Sequence, residues 1–235
     1  ALEATAFYPF RVLPGDDVSC LNLYRPDTPR VLGVPDDIIQ RGGFQFQQIL
    51  RKTDRPWTLL NENLGPDMVP AFGDFNSVMW ILQKSMGDDV EIRTENGEVV
   101  KLRLVGLFST SIFQGELLIS EANFLAHFPG RSGYGFHLIN TPSDTAPQVS
   151  GLLERRLGEW GFDVTSTSGR LAEYRAVENT YLSTFQTLGG LGLILGTIGL
   201  GVVLFRNALE RRRELAVMQS FGFRKGSLSI MLLAE

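Results

Sequence analysis

The chain has 235 residues, 43% hydrophobic and 20% charged, which excludes a disordered or collagen-like polymer and is enough to bury a sizeable core without disulfide staples. Its one cysteine, Cys20, forbids an intrachain disulfide, and with only His127 and His137 beside it a zinc site needs help from carboxylates. A net charge of −4 argues against a general nucleic-acid binder.

In chain order, the first 70 residues are broken by Pro9, Pro14, Pro26, Pro29, Pro35, Pro56, Pro66 and Pro70. They read as loops and short strands wrapped on a core, with a strand at 21–24. Asp74 stands where an N-cap belongs, before a helix running through Trp80 and Leu82 to about Ser85. The β-rich runs 90–94 and 99–107 are separated by Glu95-Asn96-Gly97-Glu98, and Asn-Gly between such runs predicts a hairpin. Leu117-Leu118-Ile119 reads as a strand, with Ser120 as the N-cap of a helix over 121–128. Residues 134–139 read as strand, 145–159 as amphipathic helix and 162–167 as strand, a compact β-α-β unit.

A further helix is expected from about Gly169. Leu171, Tyr174, Val177, Tyr181, Phe185 and Leu188 keep helical spacing. It runs into a stretch, 179–205, with no charged residue. The 21 residues 185–205 make about 31 Å of helix, matching the ~30 Å hydrocarbon core. The alternative is a buried central helix of a soluble protein. Six of the 13 residues 189–201 are glycine, each costing about 1 kcal/mol in a water-exposed helix but allowing close approach in a membrane bundle. Gly189, Gly192, Gly196 and Gly199 fall on one narrow face, and Gly190 and Gly201 on another. The first four are therefore the expected transmembrane packing face.

Charge changes sign at the end of this span. Residues 206–235 carry six basic and three acidic side chains, net +3, which leaves −7 on 1–205. Arg206 and Arg211-Arg212-Arg213 directly follow the span, and such clusters collect on the cytoplasmic side. Residues 1–178 are then expected outside the cytoplasm. The chain starts without an initiator methionine or a signal peptide and stops inside an apolar run, so it reads as a piece of a longer protein.

Other candidate sites have simpler readings. Gly-Asp-Asp-Val, at 15–18 and 87–90, offers paired carboxylates for Ca²⁺ or acid–base work, but Gly-Asp before a β-rich run is first a turn. His127 and His137 have no partner at metal-ligand spacing. Cys20 has neither a base nor an electropositive setting beside it in sequence. Phe44, Phe46, Trp57 and Tyr134 offer an apolar substrate surface, with core packing the simpler reading. There is no GxxxxGK[ST] loop, since Gly222 to Ser227 has three residues between its glycines and no following lysine, and neither G-x-S-x-G nor H-E-x-x-H occurs. No catalytic residue, cofactor or metal site is expected, and no ATP hydrolysis by this chain.

After the span comes Glu210-Arg211-Arg212-Arg213-Glu214-Leu215-Ala216-Val217-Met218-Gln219-Ser220-Phe221-Gly222, then a basic turn and Leu228-Ser229-Ile230-Met231-Leu232-Leu233-Ala234-Glu235. This resembles the FtsX-like permease domain of MacB-type ABC transporters. There an R-x-x-E-[IL]-[AG] segment follows a transmembrane helix and leads through an apolar pair, a glycine and a basic turn to the next one. Arg211, Glu214, Leu215, Ala216, Met218, Gly222 and Glu235 match; Gln219 stands where a basic residue is usual and Phe223 where a small one is. More weakly, residues 1–168 resemble the MacB-type periplasmic core, through Gly87-Asp88 before a strand, Val105-Gly106, Leu118-Ile119-Ser120 before a helix, and the β-α-β unit.

The resemblance implies an α+β extracytoplasmic domain (1–168), a stalk and transmembrane helix (169–206), a cytoplasmic coupling segment (207–226) and the start of another span (227–235). It implies a multi-pass protein of the cell inner (plasma) membrane, a separate ABC ATPase as partner, and a second permease copy or homologue. Arg211, Glu214, Leu215, Met218, Phe221 and Gly222 are the implied ATPase-coupling residues. Activities in such a family range from export to lipoprotein release, with the substrate unknown here. Two rival classes are a membrane-anchored extracytoplasmic sensor or binding domain, which normally continues into soluble heptads rather than a second apolar run, and a membrane-anchored enzyme, which lacks a catalytic constellation.

Overall fold

A computed structural model of the chain describes residues 4–15, 28–94 and 96–222, with residues 177, 178, 214 and 215 described as backbone only. The strand expected at 21–24, Cys20, most of the first Gly-Asp-Asp-Val and everything after Gly222 lie outside the described residues. The chain divides into two compact units, Ala1–Leu171 and Ala172–Glu235.

The first unit is built on an eight-stranded mixed sheet. Its strands are β1 (Ala6–Leu13), β2 (Arg30–Val34), β3 (Phe46–Ile49), β4 (Met68–Asp74), β5 (Asp89–Arg93), β6 (Val99–Phe108), β7 (Glu116–Ser120) and β8 (Phe136–Asn140). The order across the sheet is β3-β6-β4-β7-β2-β1-β8, with β5 also on β6. β2 and β7 run parallel, as do β4 and β6; the other pairs are antiparallel.

The expected hairpin forms. β5 and β6 pair from Asp89↔Arg103 to Arg93↔Val99, and the turn closes with Thr94 N–H on Glu98 O at 2.8 Å and Gly97 N–H on Thr94 O at 3.0 Å. Gly97 has φ +82°, which explains the glycine at that place. Ser120 caps α2 (Glu121–His127), its Oγ accepting from Asn123 N–H at 3.3 Å. Asp74 caps as expected: its Oδ1 accepts from the backbone N–H of Asn76 and Ser77, at 3.1 and 3.2 Å. The helix it starts ends early, in a π-helical turn at Ser77–Ile81.

Both faces of the sheet are covered. One face packs Val69, Leu102, Leu104, Leu117 and Ile119 against Phe124 and Phe128 from and after α2. The other packs Phe10, Leu32, Phe72, Val105, Phe108 and Leu118 against Ile38 of α1 (Asp36–Arg41) and against Trp57 and Leu60 from the 3-10 turn Pro56–Asn61. A register shift between Ala71↔Leu104 and Phe72↔Gly106 makes Val105 an extra residue in β6. The bulge changes the phase of alternation: Leu102 and Leu104 face the first core and Val105 the second, but beyond it Leu107 returns to the first and Phe108 to the second.

The proline-rich start differs from its expectation. β1 and β2 lie within the sheet rather than wrapping it. Pro9 is tolerated because β1 pairs with β8 over residues 6–10 and with β2 only over 11–13, so its missing N–H falls where one side of the strand is open. Pro35 and Pro56 sit at helix starts.

The β-α-β unit is corrected at its last member. β8 and α3 (Ala146–Leu157) form, followed by a 3-10 turn at Gly158–Trp160. Residues 162–166 are not a strand, and Thr167 already belongs to the next helix. Phe162 and Val164 are half-buried between exposed neighbours, which is the alternation that read as a strand, but no ladder accompanies it. The fold class stands: a mixed α/β unit followed by a long apolar helix.

That helix is α4 (Thr167–Glu210), 44 residues without a break, or about 66 Å. α5 (Arg212–Ser220) follows.

Candidate functional site

α4 starts on Ser166, whose Oγ accepts from Gly169 N–H at 3.0 Å and whose carbonyl accepts from Arg170 N–H at 2.9 Å. Farther along, the helix is long and apolar enough to cross a membrane, and none of its most apolar 18-residue window is buried within the chain. Leu193 is 74% and Phe205 67% exposed. Four of its hydroxyls are satisfied internally: Thr180, Thr184, Thr187 and Thr197 each donate to the carbonyl four residues earlier, at 2.7–2.9 Å, so these four need no water. A Cβ built on Gly189, Gly192, Gly196 or Gly199 would meet open space, so this face is smooth and accessible to a neighbour.

At the end of α4, Arg206 Nε bonds Glu210 Oε1 at 2.8 Å, one helical turn on. Arg211 is the N-cap residue of α5. The helix closes with Phe221 N–H on Val217 O and Gly222 N–H on Gln219 O, and Gly222 takes φ +92°, a left-handed C-terminal residue as its glycine predicts. Met218 is half-buried and Phe221 is 81% exposed. Glu214 and Leu215 lie in α5, with side chains outside the described residues. Val217, one turn before Phe221 and exposed, extends the apolar strip; its i,i+4 spacing is the signal that finds it.

The remaining candidates resolve into structure. Gly87 has φ +87°, and Asp88 Oδ2 accepts from Ser85 N–H at 2.7 Å, so the second Gly-Asp-Asp-Val is a turn. Its Asp89 is paired with Arg103, which holds the carboxyl below its ordinary range. Phe44, Phe46 and Trp57 join Phe72, Phe108 and Phe113 in an aromatic cluster, with Trp57 Nε1–H donating to Gly43 O at 2.7 Å. Tyr134 is on the surface under the Arg11 guanidinium, its hydroxyl on Glu121. His137 lies against the Phe162 ring, and burial lowers its pKa. His127 borders an open cavity of about 540 Å³ lined by residues 61–66 and Asn123. Among the described residues no three potential ligands gather for a metal.

The burial of two acids was not visible in the sequence. Asp74 is 1% exposed; burial raises its pKa against the opposing pull of the Ser77 and Asn76 amides, and its Oδ2 has no hydrogen-bond partner. Glu116 is pushed up to about 7 by burial, with Arg30 and Arg170 pulling the other way. The apolar run at 117–119 gives the strand, but nothing local says that the acid before it is covered.

No family model matches the chain. It is 25% identical over 159 residues to an uncharacterized ABC transporter permease of Methanocaldococcus jannaschii, an overlap that takes in 64% of this chain and 41% of that protein. The chain thus covers under half the length of that curated relative. Among solved structures, the crystal structure of the extracellular domain of the noncanonic ABC-type transporter YknZ from Gram-positive bacteria superposes with a TM-score of 0.32 and 11% identity, over 66% of this chain and 74% of that one. The chain is similar in sequence to an ABC transporter permease, in agreement with the resemblance that residues 210–222 carry.

Proposed function

We propose that the chain is part of the permease subunit of a MacB/FtsX-type ABC transporter. Residues 185–205 span the cell membrane, and residues 1–178 fold outside the cytoplasm. α5 receives motion from a separate ATPase, and α4 passes it outward to drive export or lipoprotein release. A second permease copy packs on the glycine face, and residues 227–235 begin another span of a multi-pass protein.

The observation that carries this reading is the uncharged, wholly exposed stretch of α4 ending at Arg206. Exposed apolar area is unfavourable in water by about 25 cal/mol per Å², and a contiguous patch this long requires a cover. A bilayer of ~30 Å supplies one of the right thickness. The arginines at 211–213 set its direction. On this reading Val217, Met218 and Phe221 are the apolar strip that docks on the ATPase.

The test is sidedness. In intact cells expressing the Cys20→Ser chain, Lys101→Cys should react with an impermeant maleimide and Arg213→Cys should react only after lysis. Both sites reacting from the same side would end the permease reading.

A further inference from the structure

β8 ends the sheet. Among the described residues it pairs only with β1, from Ala6↔Asn140 to Phe10↔Phe136, so its outer edge is open. Nothing in Phe-His-Leu-Ile-Asn blunts that edge, which has no charge, no proline and no bulge. Such an edge is a template for a further strand.

The same chain returns to it. α3 and the 3-10 turn carry the chain from β8 to residues 162–166, and a crossover of this kind delivers a segment parallel to the strand it left. The Phe162 ring lies 5.5 Å from the His137 ring. Phe162 and Val164 are half-buried, whereas Asp163 and Thr165 are exposed. The side-chain pattern of a strand is therefore in place, yet Asp163, Val164 and Thr165 make no backbone hydrogen bond among the described residues.

We propose that residues 162–166 are a closing strap: they zip onto the outer edge of β8 as a ninth, parallel strand, and the structure holds them in the released form. The faces fix the register. Phe136 and Leu138 pack against the second core, so His137 and Ile139 turn to the opposite face. Phe162 already meets His137 there, which places Val164 beside Ile139 and Asp163 beside Leu138. A carboxylate beside Leu138 loses water on closure, which offsets the ladder bonds and keeps the strap releasable. Thr167 opens α4 directly after the strap. Closed, the strap fixes the start of α4 to the sheet; released, it is a linker without ladder bonds. The strand stands independently of the transporter reading, whereas its use as a stiffener between α4 and the sheet rests on that reading.

The test is residue-resolved hydrogen exchange of the full chain in nanodiscs. A parallel edge strand donates with every second amide, so alternate amides within 163–166 should be protected at least about tenfold over those between them. Asp163→Val replaces a poor strand residue with a good one and should raise that protection roughly fivefold. Cross-linking tests the register. In the Cys20→Ser background, Ile139→Cys with Val164→Cys should oxidise to a disulfide at least about tenfold faster than Ile139→Cys with Thr165→Cys, because the second pair points to opposite faces. Unprotected exchange at all four amides of the unmodified chain overturns the proposal, as do equal oxidation rates for the two cysteine pairs. If a cysteine pair does not fold, exchange in the unmodified chain decides alone.

Discussion

Gly106→Ala should destabilise the first unit by overfilling the aromatic core. A Cβ at 106 would lie 2.7 and 2.8 Å from Phe72 Cδ1 and Cε1 and 2.9 Å from Phe46 Cε1. Relaxed carbon contacts are about 3.5–4.0 Å, so both rings must retreat by most of an ångström. Phe46 is half-buried, but Phe72 has no free room. Phe72 is fully buried, with its centroid 4.9 Å from Phe46, 5.5 Å from Trp57 and 5.7 Å from Phe108. Overpacking of this kind costs about 1–3 kcal/mol. With a urea slope of about 2 kcal/mol/M, the midpoint should fall by roughly 0.5–1.5 M. Tryptophan emission is the assay. Trp57 is 2% exposed, whereas Trp80 and Trp160 are 75% and 86% exposed, so Trp57 dominates the change on unfolding. Adding Phe72→Leu should recover part of the loss, making the pair less destabilised than the sum of its members. An unchanged midpoint in Gly106→Ala, or strict additivity in the double variant, refutes the overpacking argument.

Ser120→Ala removes the Oγ that accepts from Asn123 N–H and should cost about 1 kcal/mol in the same denaturation assay. Gly196→Leu should lower the yield of cross-linked permease dimer in membranes well below that of Leu204→Phe; equal yields remove the close-packing argument. Met218→Asp with Phe221→Asp should uncouple ATP hydrolysis from transport, measured in proteoliposomes with the ATPase, while membrane insertion is unchanged. Full transport activity with normal ATPase association would mean that α5 is not the coupling element.

What was legible in the sequence was local. Asn96-Gly97 announced the β5–β6 hairpin, Ser120 its helix, and the uncharged run at 179–205 a helix without a break, because each feature depends on neighbours along the chain. Pairings between distant segments left no such mark. The parallel ladders β2–β7 and β4–β6 join segments far apart, and the prolines hid β1 because proline forbids a ladder bond only on the side where the strand has a neighbour. Alternating burial at 162–165 imitated a strand, since burial and hydrogen bonding are separate requirements. That Gly189, Gly192, Gly196 and Gly199 share one face of a continuous helix, and that a short helix ends at Gly222, was readable locally. The buried Glu116 was not, because its cover comes from residues far away in sequence.

The pairing of β1 with β8 sets an order of events. Ala6 lies opposite Asn140, so the sheet is completed by joining nearly the first described residue to one only 27 positions before α4 begins. During synthesis β1 must wait, unpaired on that side, until β8 has been delivered to the same compartment. A chain that stalls before residue 136 already holds β2 and β7 but leaves the outer edge of β1 unpaired. Such long-range closure makes maturation slow and sensitive to quality control, and gives truncated products a built-in mark for proteolysis.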